Sequence, residues 1–464
     1  MKEKNVEHEH DHNHDCSLHG CNHEHQYIDE PIKNANQLNQ YRTDLKDLGI
    51  MNAMKYSRPV TRRSFVKTAA LGIGVLASSG LLSTLTGCFS EPSSSSGSSI
   101  TLADVEKPQL KIGFVPITCA TPIIMADPMG FYEKHGLEVT IQKYGGWADI
   151  RDAFITGEID AAHLLSPMTI SMSLGLGSAT VPTRLAAIEN INGQAITLAN
   201  KHKDTVKEIS DLKGMAFGVP FDYSIHNLLL RHYLSEGGLD PDNDVDIRIT
   251  RPPDMVANLA SGNLDGYLGP EPFNQRAVHE GFGYIFALTK DLWANHPCCA
   301  FGVKQEFIDQ YPKTYHALLS SIVDATNYSS ESANRADIAT AISPNQYLNQ
   351  PEEVVKQVLT GKFPDGLGNT LNDPTRVDFD PYPWKSFAAW ILTQMIRWDY
   401  ITPAQAEGLD IKKVADEIFL TEDVRNIANE LGISAPTDEY KIEQIMGKDF
   451  NAEDMNNLRE WMIR

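Results

Sequence analysis

The amino-acid sequence predicts an α/β protein of two similar lobes, preceded by an export address and followed by a helical C-terminal extension. Three observations lead there. From residue 109 onward, short apolar runs alternate with segments of helical periodicity, the pattern of strands joined by helices in mainly parallel sheets. The stretch AFITGEIDAAHLLSP at 153–167 is echoed by ANLASGNLDGYLGPEP at 257–272: a helix end, a glycine, an aspartate and an apolar strand closing on proline. Likewise LKIGFVP at 110–116 is echoed by MAFGVPFD at 215–222, each a strand running into a proline-containing loop. Open α/β sheets bind ligands beyond the C-terminal ends of their strands, so two such units facing one another would form a cleft.

The elements follow in order. LKIGFVPI at 110–117 reads as a buried strand. Thr121–Pro122 reads as an N-cap followed by proline at the first helical position, Asp127–Pro128 as an interruption, and Gly136, after Lys134 and His135, as the stop. LEVTIQKY at 137–144 returns as a strand. The resulting division is an N-terminal extension at 1–60, a signal at 61–88, a linker at 89–108, the first lobe at 109–195 and the second at 196–290. Residues 291–464 return to the first lobe and add C-terminal helices, which are expected to pack on that lobe. Leu174–Gly175–Leu176–Gly177 lacks the spacing of a dinucleotide fingerprint and reads as a loop, and no hydrolase elbow, phosphate loop or HExxH motif is present.

Charge narrows the partners. The chain carries 61 acidic against 40 basic residues, a formal −21, and residues 1–87 hold equal numbers of each, so the whole deficit falls on the body. Such a body repels nucleic acid and anionic lipid, and an anionic ligand must be held by local groups against the overall field. The six cysteines, Cys16, Cys21, Cys88, Cys119, Cys298 and Cys299, are too few to build a fold on disulfides.

The address is specific. TRRSFVK at 61–67 precedes a Gly- and Ser-diluted apolar run that ends at Leu85–Thr86–Gly87–Cys88, resembling a twin-arginine export signal closed by a lipoprotein cleavage box. That layout assigns lipidation to Cys88 and anchors the mature chain to the outer side of a membrane through a flexible Ser/Gly/Pro-rich tether. Ahead of the signal, residues 7–25 contain seven histidines and two cysteines. His8, His10, His12, His14, Cys16 and Cys21 offer metal ligands without the spacing of a folded zinc site. Met51 and Met54 are alternative starts that would leave this tract out.

At this point the residues resemble a known family. FVPITCATPIIMADPMGFYEKHGLEV, GGWADIRDAFITGEIDAAHLLSPM, NGQAITLANKHKD and RPPDMVANLASGNLDGYLGPEPF are similar to the substrate-binding proteins of nitrate and bicarbonate ABC importers, relatives of the sulfonate binders. The likeness runs from about Leu110 to Trp398. It implies a type II periplasmic binding fold, no catalysis and no required cofactor. It also implies a small oxyanion (nitrate, nitrite, bicarbonate or cyanate) as ligand, and a permease with its ATPase as partners. Carried over residue by residue, Trp147 lines the anion pocket, Gln194 and His226 donate to the anion, and Glu271 stands at a strand end where it orients a donor. The family places a lysine or a glutamate where this chain has Cys299, which makes Cys299 a candidate selector of the ligand. His163 is expected to pack against the strand end. The alternative readings are an organic ligand, sulfonate- or thiamine-precursor-like, and an enzyme of the related thiamine-pyrimidine type. Whether Cys119 pairs with Cys298 or Cys299 stays open.

Overall fold

The computed structural model describes residues 105–464; the His-rich tract, the export signal and Cys88 lie outside the described residues. The first sheet contains β1 (Gln109–Phe114), β2 (Glu138–Lys143), β3 (Ala161–Leu165) and β4 (Thr183–Ile188). A short β5 (Ile191–Asn192) marks the crossing. The second sheet contains β6 (Gln194–Ala199), β7 (Ala216–Val219), β8 (Asp246–Ile249), β9 (Gly266–Pro270) and β10 (Gly283–Leu288), after which β11 (Cys299–Lys304) returns to the first.

The two sheets share one topology. Their orders are β2-β1-β3-β11-β4 and β8-β7-β9-β6-β10. β1 runs parallel to β2 and β3, as β7 does to β8 and β9. The sequence echoes at 110–116 and 215–222, and at 153–167 and 257–272, therefore fall on equivalent elements. The sequence predicts mainly parallel sheets, and here the structure differs. β11 is antiparallel to both β3 and β4, and β6 is antiparallel to both β9 and β10. Each is the strand that arrives from the other lobe, so it enters its sheet from the opposite end. Strand β3 (AAHLL) and strand β9 (GYLGP) are buried throughout, as the central strands of covered sheets must be.

The helix start in the first lobe sits one residue from where its sequence signal places it. The helix is Thr121–Ala126, entered from a 3₁₀ turn at Thr118–Ala120, so Thr121 opens the helix and its hydroxyl donates back to the Thr118 carbonyl. The chain breaks after Ala126, resumes as Phe131–Lys134 and stops at Gly136, whose φ of 78° only glycine adopts without cost.

Beyond β11 the chain embraces both lobes. The long Pro312–Ser330 helix packs on the Thr121–Ala126 helix, and the Thr421–Glu430 helix packs on β4. Val377–Asp378 pairs with β5, and the Ile285 N–H of the second sheet donates to the Asp365 carbonyl. The Lys385–Arg397 helix lies against the Ile225–Glu236 helix of the second lobe, where Arg397 donates to Ser235 and Trp461 stacks on His232 with centroids 5.1 Å apart. The tail expected on the first lobe alone thus reaches the second, because its apolar face continues through Trp390 and Trp461 onto that lobe's helix. No helix among the described residues is long and apolar enough to cross a membrane.

Candidate functional site

The cleft is built from loops at the strand ends of both lobes, and it is shut. Thr118, in the loop after β1, donates from its backbone N–H and from its hydroxyl to the carbonyl of Glu271, after β9, each at 3.0 Å. Gly146 sits where a Cβ would lie 3.3 Å from the Arg251 side chain of the opposing lobe, so the GGW sequence lets the two lobes approach. Trp147 then opens the Trp147–Thr156 helix, and its ring turns inward at 1% exposure.

Two predicted residues, Trp147 and His226, come together here, and a third, Gln194, opens the first strand of the second sheet. Trp147 is on the first lobe, Gln194 begins β6, and His226 is the second residue of the Ile225–Glu236 helix, capped by Ser224 accepting from Asn227 N–H. Trp147 and His226 rings are 6.5 Å apart. Trp147 Nε1, the Gln194 amide nitrogen and oxygen, and both nitrogens of His226 are buried with no hydrogen-bond partner in the protein. Native interiors rarely leave buried polar groups unpaired, so a cluster of them marks a place meant for a polar ligand. The Trp147 and Ile225 helices both begin at the cleft, and their N-terminal dipoles favour negative charge there.

Two further residues belong to this wall. His163 on β3 is fully buried, its ring 5.9 Å from that of Trp147. Its Nδ1 accepts from Val115 N–H, which puts the proton on Nε2, and Nε2 has no hydrogen-bond partner and lies 3.7 Å from Glu189 Oε2. Both Glu189 oxygens are unpartnered as well. Burial raises the Glu189 carboxyl well above its usual range, which makes it an O–H donor. Burial likewise lowers His163 to about 3 and His226 to about 4, so both are neutral imidazoles. Glu189 lies in the run AAIEN, where nothing in sequence separates a buried acid from a solvated one.

Glu271 is placed at the cleft wall with its carboxylate already engaged. Arg376 Nη2 donates to Glu271 Oε1, Gln275 N–H donates to Oε2, and Arg376 Nη1 donates to Gln275 Oε1 at 2.6 Å. Both charged groups are fully buried, and the guanidinium also lies 3.8 Å over the Phe363 ring. Glu271 thus braces the wall through its carbonyl bonds to Thr118. Arg376 stands on a segment that the likeness covers without a motif, and its neighbours in sequence give no signal of this role.

Cys299 lies in a cluster of sulfurs. Cys119 Sγ is 3.8 Å from Cys298 Sγ, and Cys298 Sγ is 3.6 Å from Cys299 Sγ, all three thiols free and fully buried. Asn190 holds this turn by accepting from Cys298 N–H and Cys299 N–H, and Ser166 donates to the Cys298 carbonyl. Burial pushes the Cys119 and Cys299 thiols up. Burial acts the same way on Cys298, but its two neighbours donate to it and hold it lower. His296 is occupied by the Pro297 carbonyl and the Thr289 hydroxyl.

The site therefore offers neutral N–H donors and an un-ionised carboxylic acid, groups that can hold a small anion by hydrogen bonds. The family model described as NMT1-like matches residues 103–343. The chain belongs to the NMT1-like family. As a member, it is 33% identical over 384 residues to the nitrate/nitrite binding protein NrtA of Nostoc, covering 76% of this chain and 86% of that one. It is 34% identical over 316 residues to the nitrate import ATP-binding protein NrtC of Synechocystis, of which it spans only 47% while that match takes in 64% of this chain. Among solved structures, the periplasmic nitrate-binding protein NrtA of Synechocystis superposes with a TM-score of 0.72 at 28% identity, covering 77% of this chain and 98% of that one. The fold is the type II periplasmic binding fold, two α/β lobes about a ligand cleft.

Proposed function

We propose that this NMT1-like protein is the substrate-binding component of an ABC importer, capturing a small oxyanion, nitrate or nitrite foremost, and passing it to a permease driven by an ATPase. The observation that carries this is the approach of Trp147 and His226, one on each lobe, with Trp147 Nε1, both His226 nitrogens and the Gln194 amide all buried and unpartnered. A trigonal anion accepts in its plane, and indole, amide and imidazole N–H groups supply such donors while excluding water. Likeness to nitrate/nitrite binding proteins over most of their length supports the choice of anion. His163 and Glu189 complete the shell on the first lobe. Cys299 stands where a fixed lysine or glutamate would impose charge, so discrimination between anions rests here on shape and donor geometry.

The reading includes no catalysis: the cleft binds, closes and releases. It also includes an extracytoplasmic location, reached by twin-arginine export, with Cys88 as the lipidated anchor. Mass spectrometry of the mature N-terminus tests the anchor, which requires a diacylglycerol-modified Cys88. Calorimetric titration with nitrate, nitrite, bicarbonate and cyanate tests the ligand. Saturable heat is expected with nitrate or nitrite, and no heat from any inorganic anion would transfer the cleft to an organic ligand.

A further inference from the structure

The three cysteines exceed what anion capture requires. They come from two distant stretches of chain, Cys119 from the turn after β1 and Cys298–Cys299 from the return into β11. Every pair of their sulfurs lies within 4.8 Å, close enough for one ion to reach all three. A cation with metal–sulfur bonds of about 2.3 Å and tetrahedral angles separates its sulfur ligands by about 3.8 Å. The observed separations of 3.8 Å for Cys119–Cys298 and 3.6 Å for Cys298–Cys299 meet that spacing without movement of the backbone. Adjacent cysteines seldom aim both sulfurs at one ion; here the Asn190 side-chain acceptor on Cys299 N–H and the Ser166 bonds to the Cys298 carbonyl fix the turn that makes them do so.

We propose that Cys119, Cys298 and Cys299 form a three-thiolate site for one thiophilic divalent d¹⁰ cation, Zn²⁺ in chemistry. Soft thiolates select such ions over Mg²⁺ or Ca²⁺. Binding replaces the remaining thiol protons, which leave to solvent, so affinity falls with acid.

The test uses the full chain carrying Cys16→Ser, Cys21→Ser and Cys88→Ser, so that the remaining thiols are the three buried ones. Titration with Cd²⁺ is expected to develop an ultraviolet thiolate-to-metal charge-transfer band that saturates at one equivalent. Co²⁺ in its place should give the visible bands of a tetrahedral sulfur-rich site. Cys298→Ala, small enough to keep its circular dichroism and melting transition, should abolish the band. Three free thiols that give no band, or a Cys119–Cys298 disulfide in the protein as isolated, would overturn the proposal. Nitrate titration of the metal-free chain is a separate measurement, so loss of the metal site leaves the anion reading standing, and the reverse.

Discussion

The rings of Trp147 and His226, carried on different lobes, lie 6.5 Å apart at an angle of 46°, and neither has a hydrogen-bond partner for its ring nitrogens. A ligand held between them touches both lobes at once, which couples binding to closure. Removing one donor should weaken nitrate binding by about 1–3 kcal/mol, for Trp147→Phe and Gln194→Met alike. The second change has a further signature. Gln194 has its amide buried and unsatisfied, so an apolar residue of similar shape relieves a penalty in the ligand-free protein. Gln194→Met is expected to hold or raise the melting temperature while it lowers affinity. A fall in both would mean that Gln194 supports the fold and not the ligand.

Proton linkage should be visible in binding. Burial depresses His226 to about 4 in the ligand-free protein, against a coulombic pull upward from Cys298 and downward from His296. An anion beside the ring stabilises the imidazolium, so the pKa in the complex exceeds the free value. Affinity must then rise as pH falls through the complex pKa toward about 4, and stay level above it. Nitrate, which does not itself titrate in this range, is the ligand to use. Titrations from about pH 8 down to about 5.5 in two buffers of different ionisation heat would report proton uptake, and His226→Asn should remove the slope.

The buried Glu271–Arg376 pair makes a sharper stability prediction. Both groups are fully buried, and Arg376 directly precedes the Val377–Asp378 strand that pairs with β5. Truncating the cation leaves a carboxylate with no counter-charge, so Arg376→Met should cost about 3–5 kcal/mol in urea unfolding. Adding Glu271→Gln should recover a large part of that loss, since the pair's net worth is smaller than the penalty for breaking it. Additive losses would show that the two residues act separately.

Much of this arrangement is legible in the sequence, and the limits are physical. The two lobes are readable because strand, loop and helix recur with their punctuation intact in both halves, at 153–167 and again at 257–272. The directions of β6 and β11 are not readable, because an apolar run has the same pattern either way and only the crossing between lobes decides it. Trp147, Gln194 and His226 stand in motifs that survive as short words. Glu189 and Arg376 do not: a buried acid and its surroundings are made by tertiary contacts far apart in the chain, as between Glu271 and Arg376. The cysteine cluster is half visible. The pair at 298–299 announces itself, while the approach of Cys119 depends on β11 entering beside β3.

The crossing itself rests on one glycine. Gly193 has φ +78°, and a Cβ there would lie 2.9 Å from Val377 and 3.0 Å from the Asn190 amide, the residue that positions Cys298 and Cys299. Its N–H donates to the Arg376 carbonyl and its carbonyl accepts from Glu271 N–H, so it cannot shift without disturbing the Glu271–Arg376 wall. Gly193→Ala therefore carries both backbone strain and a clash, about 1–3 kcal/mol. Because Gln194 follows directly, nitrate affinity should fall as well. Gly238 is the control: it has the same φ of +78° but nothing within 4 Å of where a Cβ would lie, so Gly238→Ala should cost about 1 kcal/mol with affinity unchanged. Equal effects of the two substitutions on affinity would show that the crossing at Gly193 does not position the donor beside it.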